Sequence, residues 1–125
     1  ACAAQLGTAF LRCPESGANP LHKNALIDPQ FQVTAVTRAF TGRPARGLVN
    51  RFLTEYDKLA PAAYPHIHHM TKHLRKAAAQ ANDPQMMSLW VGQGYRLAKD
   101  MPAGELVRLL MKEVKEVVEG MNRLL

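Results

Sequence analysis

The sequence predicts a mainly α-helical chain with one or two β-strands, and three observations carry that reading. Apolar residues recur at helical spacing over residues 44–59 and again from Pro102 towards the chain end. Proline, glycine and Asn-Asp-Pro clusters cut the chain into short segments. One stretch, QFQVTAVTRAF (30–40), alternates instead and is rich in β-branched residues, as a strand or extended arm requires.

In chain order, CAAQLG (2–7) is small, apolar and closed by a glycine, which suits a short buried strand reaching a turn. TAFLRC then opens a helix with Thr8 as its cap. Pro14, Gly17 and Pro20 make a loop, and PLHKNALI (20–27) is a short helix with proline in its first turn, stopped at Asp28-Pro29. On the alternating stretch, Phe31, Val33, Ala35 and Thr37 fall on one side. After Thr41-Gly42, Pro44 to about Leu59 reads as a helix, with Leu48, Phe52 and Tyr56 at i, i+4 and i+8. Pro61 and Pro65 flank a loop holding Tyr64. A helix from His66 to Ala81 ends at Asn82-Asp83-Pro84. QMMSLWV (85–91) is apolar, and a short helix follows over Gln93–Lys99. The last helix, opened by Pro102, carries Leu106, Leu109, Leu110, Val114, Val117, Val118 and Met121 as its apolar stripe.

A single strand cannot satisfy its own backbone groups, so a buried strand at 2–7 implies partners elsewhere. The chain has no initiator Met and opens in an apolar run without a basic leader. The expectation is therefore a segment that begins within an element, and not a secreted precursor.

Composition narrows the function. The chain has 125 residues, 47% apolar and 21% charged, which is ordinary for a soluble domain. No apolar run is long enough to span a membrane. Net charge is +6, but the 16 basic residues are scattered, and no reading motif for nucleic acid accompanies them. Cys2 and Cys13 do not form a CxxC and read as reduced thiols of a cytoplasmic protein. His66, His69 and His73 share a helical face beside His68, a spacing that can bind zinc. Without HExxH, a cysteine or a carboxylate nearby, a polar helix face is the better reading, and no metal site is expected.

Two constellations can carry chemistry. Gln5-Leu6-Gly7-Thr8 places a glycine and a hydroxyl at a strand end before a helix start, an arrangement that can hold a phosphate and is equally an ordinary turn. In WVGQGY and the lysine after it, a helix would bring Val91, Tyr95 and Lys99 to one face. A phenol beside an ammonium suits a small anion; a packed tyrosine and a snorkelling lysine is the plainer alternative.

The wording QLGTAFLRCPESGANPLHKNAL (5–26) resembles the last barrel strand and following loop of nitronate monooxygenases. TRAFTGRPARGLVNRF (37–52) and SLWVGQGYRLAKDMPAGELV (88–107) resemble the next two segments of that family, in the same order. The resemblance implies an α/β fold: the C-terminal part of an FMN-binding (β/α)8 TIM barrel, here its last strand, plus an added mostly helical region. The implied divisions are 1–28 (last strand, phosphate turn, following loop and helix), 29–101 (added region) and 102–125 (C-terminal amphipathic helix).

It further implies that Gln5, Leu6, Gly7 and Thr8 touch the FMN phosphate. It implies too that the C-terminal segment lines the active-site mouth, making Tyr95, Lys99, Gln93 and Tyr64 candidate pocket residues. The family's catalytic histidine lies upstream of these segments, so no catalytic residue is assigned here. Arg43, Arg46 and Asn50 read as structural ties between the added region and the barrel. The implied reaction is FMN-dependent oxidation of alkyl nitronates such as propionate 3-nitronate by O2, with an upstream barrel segment of the same protein as partner. An FMN-dependent NAD(P)H:quinone reductase on the same barrel is the alternative, and a non-enzymatic helical interaction module a third.

Overall fold

A computed structural model describes residues 2–124. The chain divides into two compact units, residues 18–96 and residues 1–17 with 97–125, of which Ala1 and Leu125 lie outside the described residues.

The 18–96 unit is built on a hairpin. It begins with α1 (Pro20–Ala25), started by the Asn19 side chain, which accepts from the Leu21 N–H at 2.9 Å. Strands β1 (Thr34–Thr37) and β2 (Ala45–Leu48) pair antiparallel with Thr34 opposite Leu48 and Thr37 opposite Ala45. The free edge of β2 is covered by residues 89–91: Leu48 N–H donates to Leu89 O at 2.9 Å and Val91 N–H to Arg46 O at 3.2 Å. The backbones approach so closely that a Cβ on Gly47 would stand 2.9 Å from the Leu89 oxygen, so only glycine fits.

The helix expected from Pro44 to Leu59 is therefore corrected. Its first part is β2, and α2 spans only Arg51–Tyr56, followed by a 3-10 turn at Asp57–Leu59. Leu48 and Phe52 are both buried, but from a strand and a helix respectively. Asn50 marks the boundary, since its extended backbone and side-chain oxygen cap α2 through the Leu53 N–H at 3.1 Å. The Asn50 amide also donates to Pro84 O at 3.0 Å and Met87 O at 2.7 Å.

Ala39, Phe40, Phe52 and Leu53 form the core, with Trp90, Val49 and Met86 packed against them. Phe40 stacks on Phe52 at 4.5 Å between centroids and meets the edge of Trp90 at 5.4 Å. Helix α3 (His66–Gln80) lays Ile67, Thr71 and Ala78 inward, and the Thr71 hydroxyl donates to Phe40 O. As expected, it stops at Asn82-Asp83-Pro84: Asn82 takes a left-handed φ of 54° and Asp83 N–H returns to Ala78 O at 2.9 Å. Of the alternating stretch, Phe31 and Thr37 are buried and Ala35 partly so, while Val33 is exposed.

In the second unit, residues 2–6 carry no regular structure and are exposed. The expected strand at 2–7 is absent because, among the described residues, no strand pairs with it. TAFLRC is not a helix capped by Thr8: Gly7 precedes a 3-10 turn, Thr8–Phe10, in which Thr8 is the first residue. Helix α4 (Ala103–Asn122) follows Pro102 as expected. Of its apolar stripe, Leu106 is buried and Leu109 and Leu110 half-buried, whereas Val114, Val117, Val118 and Met121 face out. Among the described residues no helix is long and apolar enough to cross a membrane.

Candidate functional site

The Gln5–Thr8 turn is the first place to look for a cofactor grip. Gln5, Leu6 and Gly7 are exposed and Thr8 is half-buried. Gly7 has φ −113°, which any residue adopts, and a Cβ added there would meet nothing within 4 Å. Neither backbone conformation nor internal packing demands a glycine, unlike at Gly47. The open space on its Cβ side is what close approach of a phosphate needs. The turn is held from behind: Phe10 N–H donates to Gly7 O at 3.0 Å, Leu11 N–H to Thr8 O at 3.1 Å and Cys13 N–H to Phe10 O at 3.1 Å. A cleft of about 260 Å3 beside it is lined by Gly7, Phe10, Cys13, Glu15, Ser16 and Ala103. The Glu15 carboxylate there accepts from the Ala103 N–H at 3.1 Å, which favours the start of α4 and disfavours an anion in that cleft.

Lys99 lies in the same unit. Its ammonium stands 3.6 Å from Glu113 on α4, both side chains about half exposed, so water competes with the pair and an incoming anion can exchange for it. Arg12, just past the turn, donates to Ala98 O at 3.2 Å and lies 3.6 Å from the Asp100 carboxylate.

Tyr95 belongs to the other unit. The expected helix over Gln93–Lys99 is a 3-10 turn at Tyr95–Leu97 only, so Val91, Tyr95 and Lys99 share no continuous helical face. Tyr95 is buried and its hydroxyl donates to Phe31 O at 2.9 Å, with the Arg96 guanidinium 5.3 Å from its ring centre. Gln93 is exposed. Tyr64 is exposed too, with the Arg43 guanidinium 5.6 Å from its ring centre. Its loop is pinned because Gly42, at φ 82°, would bring a Cβ within 2.7 Å of the Ala63 backbone. Arg46 donates to the Thr34 hydroxyl at 2.9 Å, so both arginines and Asn50 find partners within the 18–96 unit.

The histidines are placed as a polar face. His66, His69 and His73 are exposed, and Arg75 donates to His68 Nδ1 at 3.2 Å, which requires that nitrogen to be unprotonated. Desolvation, then the charge of Arg75, holds the His68 pKa below the usual histidine range. Among the described residues no group of three or more ligating side chains could hold a metal. An apolar cleft of about 340 Å3 between Phe52, Tyr56, Leu59, Ile67, Met70 and Leu74 offers no charge to an anion.

Sequence reasoning passed over Arg12, Glu15 and Glu113. Their only signal was charge, and their partners lie too far along the chain for any periodicity to reveal.

Comparison with known proteins gives the family. The family model described as nitronate monooxygenase matches residues 1–113. The nitronate monooxygenase of Pseudomonas aeruginosa is 42% identical over 120 residues, covering 92% of this chain and 34% of that protein. A probable nitronate monooxygenase of Staphylococcus saprophyticus is also 42% identical, covering 95% of this chain and 33% of its own length. Among solved structures, nitroalkane oxidase from Streptomyces ansochromogenes superposes with a TM-score of 0.94 at 60% identity, covering 95% of this chain and 34% of that one. The chain thus spans about a third of the length of the relatives it matches. With a family match across most of its residues and relatives well above 30% identity, the chain belongs to the nitronate monooxygenase family.

Proposed function

We propose that this chain supplies the phosphate grip and part of the substrate pocket of an FMN-dependent enzyme that oxidises alkyl nitronates, such as propionate 3-nitronate, with O2. The upstream part of a (β/α)8 barrel completes the site. The reading extends family membership to activity, and the observation that carries it is Gly7: an exposed glycine with no internal reason to be one, at the turn that the family resemblance assigns to phosphate. Gln5, Leu6, Gly7 and Thr8 would hold the FMN phosphate, with backbone approach at Gly7 and the Thr8 hydroxyl as a donor. When bound, FMN supplies the electron acceptor through which the nitronate's electrons reach O2.

The protein's own part is binding and orientation. Lys99 offers a partly exposed ammonium to an anionic substrate by exchange with Glu113. Tyr95 would serve by giving up its bond to Phe31 O or by shaping the wall, and Gln93 and Tyr64 are exposed candidates for the rim. No base is assigned among these residues. A cytoplasmic setting suits Cys2 and Cys13, which are not joined in a disulfide.

Oxygen uptake by the FMN-loaded, full-length protein with propionate 3-nitronate and no nicotinamide tests this. Rapid uptake is expected. A yellow, FMN-loaded protein that consumes no O2 but reduces quinones with NAD(P)H would overturn the reading in favour of a quinone reductase.

A further inference from the structure

Arg12 joins two parts of the unit that the proposed function uses separately. It follows the hydrogen-bonded turn that begins at Gly7. Its Nη1 donates to the Ala98 carbonyl at 3.2 Å and its Nη2 lies 3.6 Å from the Asp100 carboxylate. Ala98 and Asp100 are the two chain neighbours of Lys99, so one guanidinium holds the backbone carbonyl before that lysine and the side-chain carboxylate after it. The Arg12 side chain is 19% exposed, against 48% for Lys99, so its bond to the Ala98 carbonyl is shielded from water, while its partner Asp100 is 68% exposed. A guanidinium fork also holds direction, which a point charge does not.

The remaining contacts reinforce the same link. Three residues beyond Arg12, Glu15 fixes the start of α4, and α4 presents Glu113 to the Lys99 ammonium. The segment 7–15 therefore sets the Lys99 backbone through Arg12 and the helix that carries its side-chain partner through Glu15.

We propose that Arg12 is a positioning residue that couples occupancy of the Gln5–Thr8 turn to the placement of Lys99. This rests on reading that turn as a phosphate site. A phosphate held at Gly7 and Thr8 shifts the hydrogen-bonded turn, and Arg12 at its far end carries the shift to Ala98, Lys99 and Asp100. By linkage, an anion held at Lys99 strengthens phosphate binding at the turn by the same factor. The cofactor's phosphate would thus prepare the lysine that meets the substrate.

The test is a titration of the isotopically labelled full-length protein, freed of FMN, with inorganic phosphate at constant ionic strength, following backbone amide signals. In the wild type, Gly7 and Thr8 are expected to shift, and Lys99 and Asp100 to shift with the same midpoint. In Arg12→Ala the Gly7 and Thr8 shifts persist while the Lys99 response is lost; Arg12→Lys, which keeps the charge without the fork, does not restore it. A Lys99 response of undiminished size in Arg12→Ala overturns the coupling. A wild type in which Gly7 and Thr8 shift but Lys99 does not overturns the coupling alone, whereas silent Gly7 and Thr8 overturn the phosphate reading with it. Should Arg12→Ala fail to fold, Asp100→Asn decides: a weakened Lys99 response supports the link, and an unchanged one overturns it.

Discussion

The carbonyl oxygen of Leu89 lies where a Cβ on Gly47 would come within 2.9 Å of it, and the Leu89 oxygen also accepts from the Leu48 N–H at 2.9 Å. Since the opposing atom is backbone, Gly47→Ala must push residues 89–91 off β2 or bend the hairpin. Overpacking of this kind costs about 1–3 kcal/mol. A lowered denaturant midpoint at unchanged slope is expected, and a midpoint equal to the wild type would contradict the contact.

The Asn50 side chain makes three hydrogen bonds, one as a cap and two as a donor. Asn50→Ala removes a helix cap, about 1 kcal/mol, and strips a donor from Pro84 O and Met87 O. Asn50→Asp keeps the cap but turns a carboxylate oxygen towards two carbonyls, so it is expected to be no more stable than the alanine variant. Thermal melts of the two variants rank them.

Burial pulls the His22 pKa down, and its Nε2 stands 3.0 Å from Trp90 O, a bond that partly opposes the shift. The carbonyl only accepts, so Nε2 carries the proton in the neutral ring. With its folded pKa below the unfolded one, His22 binds fewer protons in the native state. Its share of stability is present above the ordinary histidine value of about 6.5 and is lost as pH falls through the lowered folded value. Denaturant melts from pH 7.5 to 5 are expected to show a stability loss that is smaller in His22→Gln; an equal pH slope in both proteins would sink this assignment.

Gly7 separates folding from binding. Gly7→Ala meets nothing within 4 Å and keeps an ordinary φ, so the melting curve is expected to change by no more than about 0.5 kcal/mol. FMN binding, followed by flavin fluorescence on the full-length protein, is expected to weaken by at least about tenfold, because the methyl occupies the phosphate's approach. Equal FMN affinity in both proteins would count against the Gln5–Thr8 assignment.

The outward stripe of α4 gives a last expectation. Val114, Val117, Val118 and Met121 are each more than half exposed in the 125-residue chain, a patch that apolar dyes should bind. Val114→Glu with Val117→Glu is expected to cut that fluorescence severalfold, and unchanged dye binding would place the patch elsewhere.

The sequence by itself determined the elements whose signals are local. Asn19-Pro20 starts α1, Asn82-Asp83-Pro84 stops α3 and Pro102 precedes α4, because caps and proline geometry act within a few residues. Its wording also placed the family, since three motifs in order are a property of the linear chain. Only the tertiary structure decided the rest. Ala45–Leu48 carries apolar residues at helical spacing yet forms a strand, because β1 and residues 89–91 satisfy its backbone from both sides. Residues 2–6 have a strand's composition and no strand, because no neighbour among the described residues pairs with them. From the sequence Tyr95 was either an anion-binding phenol or a packed tyrosine, and the structure buries it, with its hydroxyl donating to a carbonyl 64 residues away. Arg12 was legible only as a charge; its grip around Lys99 spans 86 residues of sequence. Contacts at that range leave no period in the chain, so folding alone reveals which charges work together.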